Sequence, residues 1–301
     1  VSMESAAPTA AGLACDAPAK INLYLHVTGR RADGYHVLDS LFVFSRFGDR
    51  VEVSESTGFG LQVDGPFADQ VPAGDDNLVL RAARAMADRF GLDGAAIHLT
   101  KNLPVAAGLG GGSADAAATL RGLARLAGLD PLGEPVLALA RALGADVPAC
   151  LVGGALQVSG IGDQLRAIGG LPALPLILVN PGIALSTAAV FSALADGGAA
   201  FSEPAPLDTA DEDVGSLTAL ATALGARRND LEVPALTLAP EIGTVLTALR
   251  RLEGCLLARM SGSGATCFAL CESRDAAGQG AQWIKEHHPD WWVMATTGGI
   301  T

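Results

Sequence analysis

Polar and apolar residues alternate from Cys15 to Thr28, with Leu23, Leu25 and Val27 on one face, and this period predicts a strand. Val37 to Ser45 and Arg50 to Ser54 read as two more strands. Asp75-Asp76-Asn77 supplies capping side chains for a helix running to about Phe90, with Arg81, Arg84 and Arg89 on solvated faces. Ala95 to Lys101 is the next strand. A helix rich in small residues follows from Ser113 to Ala127, and a second from Pro131 to Leu143, stopped by Gly144. Gly153-Gly154 and Ser159-Gly160-Ile161-Gly162 interrupt the chain, and the prolines between Leu171 and Pro175 read as a linker. Beyond it come a buried strand, Leu176 to Asn180, and a helix, Ser186 to Ala195. The acidic, Gly-, Ala- and Pro-rich run 196–215 reads as a mobile surface loop. A helical region opens at Asn229, and Pro240 starts a helix to Leu252. Strands at Cys255 to Met260 and Cys267 to Cys271, a helix at Asp275 to Glu286 and a strand at Trp291 to Ala295 complete the pattern. No internal repeat appears.

This mixture of strands and helices in 301 residues fits a two-domain α/β or α+β chain, divided near Ile161 to Pro175 into 1–165 and 166–301. The net charge of −12 argues against a general nucleic-acid or membrane surface. An acidic chain that binds phosphate must use backbone amides and a few cations. The five cysteines, at 15, 150, 255, 267 and 271, form no Cys-x-x-Cys pair and read as buried apolar residues of a reducing cytoplasm. No histidine stands at zinc-like spacing with cysteine. No apolar run is long enough to span a membrane, and residues 1–12 read as a loose leader.

The strongest chemical signal is Leu103 to Thr119, which contains Gly108, Gly110, Gly111 and Gly112 just ahead of a helix. Glycines let the backbone approach a ligand closely. The first amides of a helix lack internal partners, and the helix dipole adds partial positive charge there. Together these features make a phosphate cradle. Neither of two common phosphate loops fits: no lysine follows Gly112 as a P-loop needs, and Ser113 replaces the third glycine of the dinucleotide fingerprint. By itself the run reads first as a tight turn with close helix packing.

Other candidates carry two readings each. Lys20, in an otherwise apolar strand, is either a snorkelling edge lysine or a cation aimed into a phosphate site. Tyr35 and His36 end an Asp-Gly turn and are either half-buried packing or an aromatic face and a hydrogen-bonding ring for a base. Asp146 lies between Gly144-Ala145 and Val147-Pro148. It is either a helix cap or a catalytic base.

Three separated stretches nonetheless share one pattern: Pro18-Ala19-Lys20-Ile21-Asn22-Leu23, the loop from Gly108 to Ala117, and Ser261-Gly262-Ser263-Gly264-Ala265. In that order they resemble the three motifs of the GHMP kinases, the small-molecule kinases named for galactokinase, homoserine kinase, mevalonate kinase and phosphomevalonate kinase. Gly29-Arg30-Arg31-Ala32-Asp33-Gly34-Tyr35-His36, Gly144-Ala145-Asp146-Val147-Pro148 and Asn229-Asp230-Leu231-Glu232 narrow the resemblance to the branch whose acceptor is a cytidine-diphosphate-linked methylerythritol. It covers about Ala17 to Leu270.

The resemblance implies a two-domain α+β kinase. Its amino-terminal half would resemble ribosomal protein S5 domain 2 and its carboxy-terminal half would be ferredoxin-like, with the active site between the halves. ATP, with Mg2+, would phosphorylate the 2-hydroxyl of the methylerythritol unit. Pro104, Ala106, Ala107, Gly108, Leu109, Gly110, Gly111, Gly112, Ser113 and Ala114 would hold the nucleotide. Asp146 would take the hydroxyl proton, and Lys20 would steady the transferring charge. Asn22 would bond the acceptor near its reacting end. Tyr35 and Phe191 would stack on the cytosine, His36 would bond its polar edge, and Thr187 would support that pocket. Gly262, Ser263 and Gly264 would close over the substrate. Asp115 is read as an early helix residue interacting with the dipole. The resemblance implies a small-molecule substrate and neither nucleic acid nor membrane as partner. It leaves the metal ligands unknown and the oligomeric state open between monomer and weak dimer.

Overall fold

A computed structural model describes residues 12–299 apart from 73, 75, 199, 208–211 and 213. The expected leader, apart from its last residue, the capping Asp75 and part of the expected 196–215 loop therefore lie outside the described residues. In chain order the elements are β1 (Leu13–Arg30), β2 (His36–Glu55), β3 (Phe59–Asp64), α1 (Leu78–Phe90), β4 (Ala95–Thr100), α2 (Gly111–Leu126), α3 (Glu134–Leu143) and α4 (Val147–Val152). There follow β5 (Leu156–Gly160), β6 (Gln164–Ala167), β7 (Leu174–Asn180), α5 (Thr187–Asp196), α6 (Leu217–Gly225), α7 (Glu232–Leu238), α8 (Glu241–Arg250), β8 (Cys255–Met260), β9 (Cys267–Cys271), α9 (Arg274–His287) and β10 (Trp292–Gly298).

The chain forms two compact units. The first comprises the described residues of Val1–Ala17, Asp49–Asn102 and Gly112–Leu151. The second comprises those of Pro18–Gly48, Leu103–Gly111 and Val152–Thr301.

In the first unit the end of β2 runs antiparallel to β4, pairing Arg50 with Thr100 through Glu55 with Ala95, and β3 lies parallel to β4. Helix α1 starts where the Asn77 side chain accepts the Val79 N–H at 2.8 Å, and stops at Gly91, in the left-handed region at φ 73°. Its buried residues Val79, Ala82, Ala83, Met86 and Ala87 recur at helical spacing and face the core. The small residues of α2 allow close packing. A Cβ on Gly122 would lie 2.6 Å from Val53 Cγ2, so the helix approaches β2 at a distance only glycine permits.

In the second unit β10, β7, β9 and β8 form an antiparallel array in that order. Every residue of β7 is buried. Leu25, Val27, Ile177, Val179, Val245 and Ile284 belong to one apolar cluster; Ile21, Leu23, Tyr24, Leu176, Leu178 and Phe268 belong to another. Burial of such side chains stabilises the unit by roughly 1.5–3 kcal/mol each.

Several expectations need correction. The strands expected at 37–45 and 50–54 are one strand, β2. The Asp49 side chain, in the gap between the two expected strands, accepts the Asn102 N–H at 2.6 Å, a partner distant in sequence. β3 was not expected; its exposed and half-buried residues, two of the exposed ones being Phe59 and Gly60, give a weak pattern. The glycine break at Ser159–Gly162 is the turn of a β5–β6 hairpin, with Gly160 at φ 66°. Helix α3 begins at Glu134, not Pro131. Helix α6 was missed despite its Ser216 cap. The 196–215 run is not wholly a surface loop: Leu207 and Val214 are buried, the Ala205 N–H bonds Asp39 at 2.6 Å, and the Arg227 guanidinium pairs with Glu212 at 2.6 Å.

Candidate active site

The loop ahead of α2 turns at three left-handed residues, Ala106 at φ 54°, Gly108 at 74° and Gly110 at 63°. Alanine is disfavoured in that region, so the loop holds local backbone strain. The Leu109 carbonyl accepts the Lys20 N–H at 2.8 Å, which seats the loop on β1. A Cβ on Gly110 would lie 3.2 Å from Lys20 Cβ, and one on Gly108 would lie 2.6 Å from the Gly264 and Ser261 carbonyl oxygens. Three of the expected motifs are thus in mutual contact within the second unit.

Lys20 is buried, with its ammonium 4.2 Å from the centre of the Phe42 ring. This overturns the snorkelling reading. Asn22 is also buried; its N–H donates to Ser261 Oγ at 3.1 Å, and Ser261 Oγ donates to the Gly108 carbonyl at 3.2 Å. The turn at 261–266 is held from behind. Asn229 donates to the carbonyls of Met260 at 2.9 Å and Gly262 at 2.8 Å, and accepts the Leu231 N–H at 3.0 Å. Glu232 accepts the Met260 N–H at 3.1 Å, and Asp230 accepts the Val27 N–H at 2.7 Å. The Asn229-to-Glu232 motif is therefore a brace for the glycine turn and for β1, a role its sequence did not disclose.

The Tyr35–His36 turn is closed by the Arg31 N–H to the Tyr35 carbonyl at 2.8 Å. Tyr35 is 63% exposed. His36 stacks on Phe191, with ring centres 4.8 Å apart and an angle of 23° between planes. Burial, and then the Arg30 charge, hold the His36 pKa below the ordinary imidazole value, so the ring is neutral at neutral pH and offers one donor and one acceptor. Thr187 Oγ1 lies 2.8 Å from Ser263 Oγ, joining the start of α5 to the glycine turn.

The first unit holds Gly112, Ser113, Ala114 and Asp146. Asp146 is half-buried just before α4, and its carbonyl accepts the Cys150 N–H at 3.0 Å. Asp115 departs from expectation. It is buried against Lys101 Nζ at 2.6 Å, and the same ammonium contacts Asp49 at 2.5 Å. Asp115 is thus a partner in a buried ion cluster and not a dipole-facing helix residue. Burial pushes its pKa up to about 7, with the Asp49 carboxylate adding to the rise and Lys101 opposing it. Burial alone would lower the Lys101 pKa, but the Asp115 and Asp49 charges outweigh it and the value rises. Nothing in the sequence pointed to this cluster, because its members lie 14 and 52 positions apart.

Among the described residues no group of three or more His, Cys, Asp or Glu is placed to hold a metal ion, and no helix is long and apolar enough to cross a membrane.

This glycine loop, buried lysine and second glycine turn lie in a chain whose family models are those of a class of small-molecule kinases. Residues 77–154 match the profile of the GHMP kinases N terminal domain and residues 208–290 that of the GHMP kinases C terminal domain. A solved homoserine kinase from Cytophaga hutchinsonii, 20% identical, shares the fold with a TM-score of 0.68 over 97% of each chain. A relative from Methylobacterium radiotolerans is 52% identical over 94% of this chain and 98% of its own length. One from Parvibaculum lavamentivorans is 51% identical over 94% and 97%. Both bear the name 4-diphosphocytidyl-2-C-methyl-D-erythritol kinase. A crystal structure of 4-(cytidine 5'-diphospho)-2C-methyl-D-erythritol kinase is 35% identical, with a TM-score of 0.78 over 96% of this chain and 100% of that one. The chain belongs to the 4-diphosphocytidyl-2-C-methyl-D-erythritol kinase family of the GHMP kinases.

Proposed function

We propose that this chain transfers the γ-phosphoryl group of ATP to the 2-hydroxyl of 4-diphosphocytidyl-2-C-methyl-D-erythritol, a step of non-mevalonate isoprenoid biosynthesis, in the cytoplasm. The observation that carries this reading is the packing of the glycine loop on Lys20 and on the Ser261–Thr266 turn, in a chain whose half-identical relatives bear that kinase's name.

Phosphoryl transfer needs positioning and charge neutralisation more than covalent help. The amides of Gly108 to Ser113 hold the nucleotide phosphates, together with the neighbouring residues from Pro104 to Ala107 and Ala114. Lys20 steadies negative charge on the transferring group. Asp146 accepts the proton leaving the acceptor hydroxyl. Tyr35 and Phe191 flank the cytosine, His36 meets its polar edge with a neutral ring, and Thr187 links that pocket to Ser263. Asn22 bonds the acceptor, and Gly262 to Gly264 cover it. Magnesium, when bound with the nucleotide, would supply neutralisation of phosphate charge; among the described residues no cluster of three or more His, Cys, Asp or Glu is placed to hold it.

The test is coupled ADP release with ATP, magnesium and the cytidyl acceptor, run beside mevalonate and homoserine. Turnover with the cytidyl acceptor alone is expected; turnover only with another acceptor overturns the reading. Asp146→Asn is expected to lower kcat by about 10²–10⁴-fold while nucleotide binding survives, and a wild-type kcat would remove Asp146 from the proton-transfer role.

A further inference from the structure

Ser40 on β2 is wholly buried and touches Asn22, yet no motif includes it. Its hydroxyl donates its single proton to the Tyr24 carbonyl at 2.5 Å. The Ser40 oxygen therefore faces Asn22, 2.9 Å away, as an acceptor only, and the Asn22 group that meets it must be the amide Nδ2. Rotating the amide by a half-turn would set two acceptors against each other. Asn22 Oδ1 is thereby directed to the other side, where it is buried and has no hydrogen-bond partner. A Cβ on Gly262 would lie 3.1 Å from that oxygen, so the absence of a side chain at 262 leaves the oxygen facing the glycine turn.

We infer that Ser40 is a positioning residue that locks the Asn22 amide with its oxygen toward the glycine turn, so that the acceptor substrate must present a hydrogen-bond donor there. The ligand chemistry this selects is a hydroxyl of a polyol. A carbonyl or ether oxygen at the same place would face a second acceptor. An unmet buried acceptor is costly, and a donor from the ligand removes the cost, whereas an analogue lacking the hydroxyl leaves it. The inference rests on the kinase reading above for the identity of the acceptor, and on geometry alone for the lock.

The experiment compares wild type with Ser40→Ala, Ser40→Cys, Ser40→Thr, Asn22→Ala and the Asn22→Ala/Ser40→Ala double variant. Steady-state kinetics are measured for both substrates, and thermal unfolding checks that each variant is folded. Ser40→Ala is expected to lower kcat/KM for the cytidyl acceptor about tenfold or more and to leave the KM for ATP unchanged. Ser40→Thr, which keeps the hydroxyl, is expected to stay within about twofold of wild type. The double variant is expected to match Asn22→Ala, because Ser40 acts only through Asn22. Ser40→Cys keeps the volume with a weaker hydrogen bond and serves if the alanine variant does not fold. Wild-type kinetics in Ser40→Ala or Ser40→Cys, losses that multiply in the double variant, or a loss confined to ATP would overturn the lock. If wild type does not phosphorylate the cytidyl acceptor, the kinase reading fails separately. The lock is then decided by NMR of the Asn22 side-chain amide, whose protons are expected to exchange slowly in wild type and faster in Ser40→Cys; equal exchange rejects it.

Discussion

Two buried polar clusters support this molecule by opposite means. In the first unit, Lys101, Asp49 and Asp115 are charged groups enclosed together behind the first turns of α2. In the second, Asn22, Ser40, Ser261 and Asn229 are neutral, and each settles a direction: who donates, who accepts, which way an amide points. A charge cluster is strong but sensitive to proton number, since removing one partner leaves an uncompensated ion. A neutral network gains less per bond but holds its geometry at any pH where the protein folds. The helix that follows the glycine loop is thus pinned by charge, while the turn expected to cover the acceptor is pinned by hydrogen-bond direction.

The contrast is broken most forcefully at Lys101. Lys101→Met leaves two buried carboxylates without their cation and is expected to destabilise the first unit by about 3–5 kcal/mol in urea unfolding at neutral pH. A loss below about 1 kcal/mol would mean that water reaches the cluster. Asn229→Ala removes the brace from the glycine turn and is expected to cost about 1–3 kcal/mol, with no change in the pH dependence of stability. A new pH dependence there would contradict the neutral character of the second cluster. Asp115→Asn sharpens the comparison further. The Asp115 pKa is higher in the folded chain, about 7, than its ordinary value of 3.8. The folded state therefore binds more protons between those values, and this group's contribution is full below pH 3.8 and lost as pH rises through about 7. Urea titrations from pH 4 to 8 are expected to show that decline in wild type and a flatter profile in Asp115→Asn. Equal slopes would show that Asp115 is ionised throughout.

Much of the fold was legible because hydrophobic period and caps are local. Helix α1 ends where Phe90 and Gly91 say it should, and α5 begins at the Ser186 cap. The misreadings fall where local signals conflict with distant partners. Val37 to Ser45 and Arg50 to Ser54 read as two strands, but β2 runs unbroken between them, and Asp49 bonds residues about fifty positions away. Leu207 lies in a run with loop composition, and only its burial in an apolar cluster shows it to be core. Within the candidate site, the glycine loop, Lys20, Asn22 and the second glycine turn were proposed from motifs. Ser40, Asp49 and Lys101 were not, because a serine or a lysine in a strand carries no mark of what it will face.

The amino-acid sequence by itself determined the kind of chemistry: glycines that open the backbone, a lysine in an apolar strand, an aspartate before a short helix, and the order in which these occur. Those properties belong to residue types and short spacings, so they survive without coordinates. Only the tertiary structure decided which lone pair each side chain leaves unpaired and which charges are spent on one another. Asn22 and Asp115 show the difference. One turns its oxygen toward the glycine turn because Ser40 is already committed, and the other turns its charge toward Lys101, which is there to receive it. Hydrogen-bond direction and ion pairing depend on partners brought together by folding, and no local pattern encodes them.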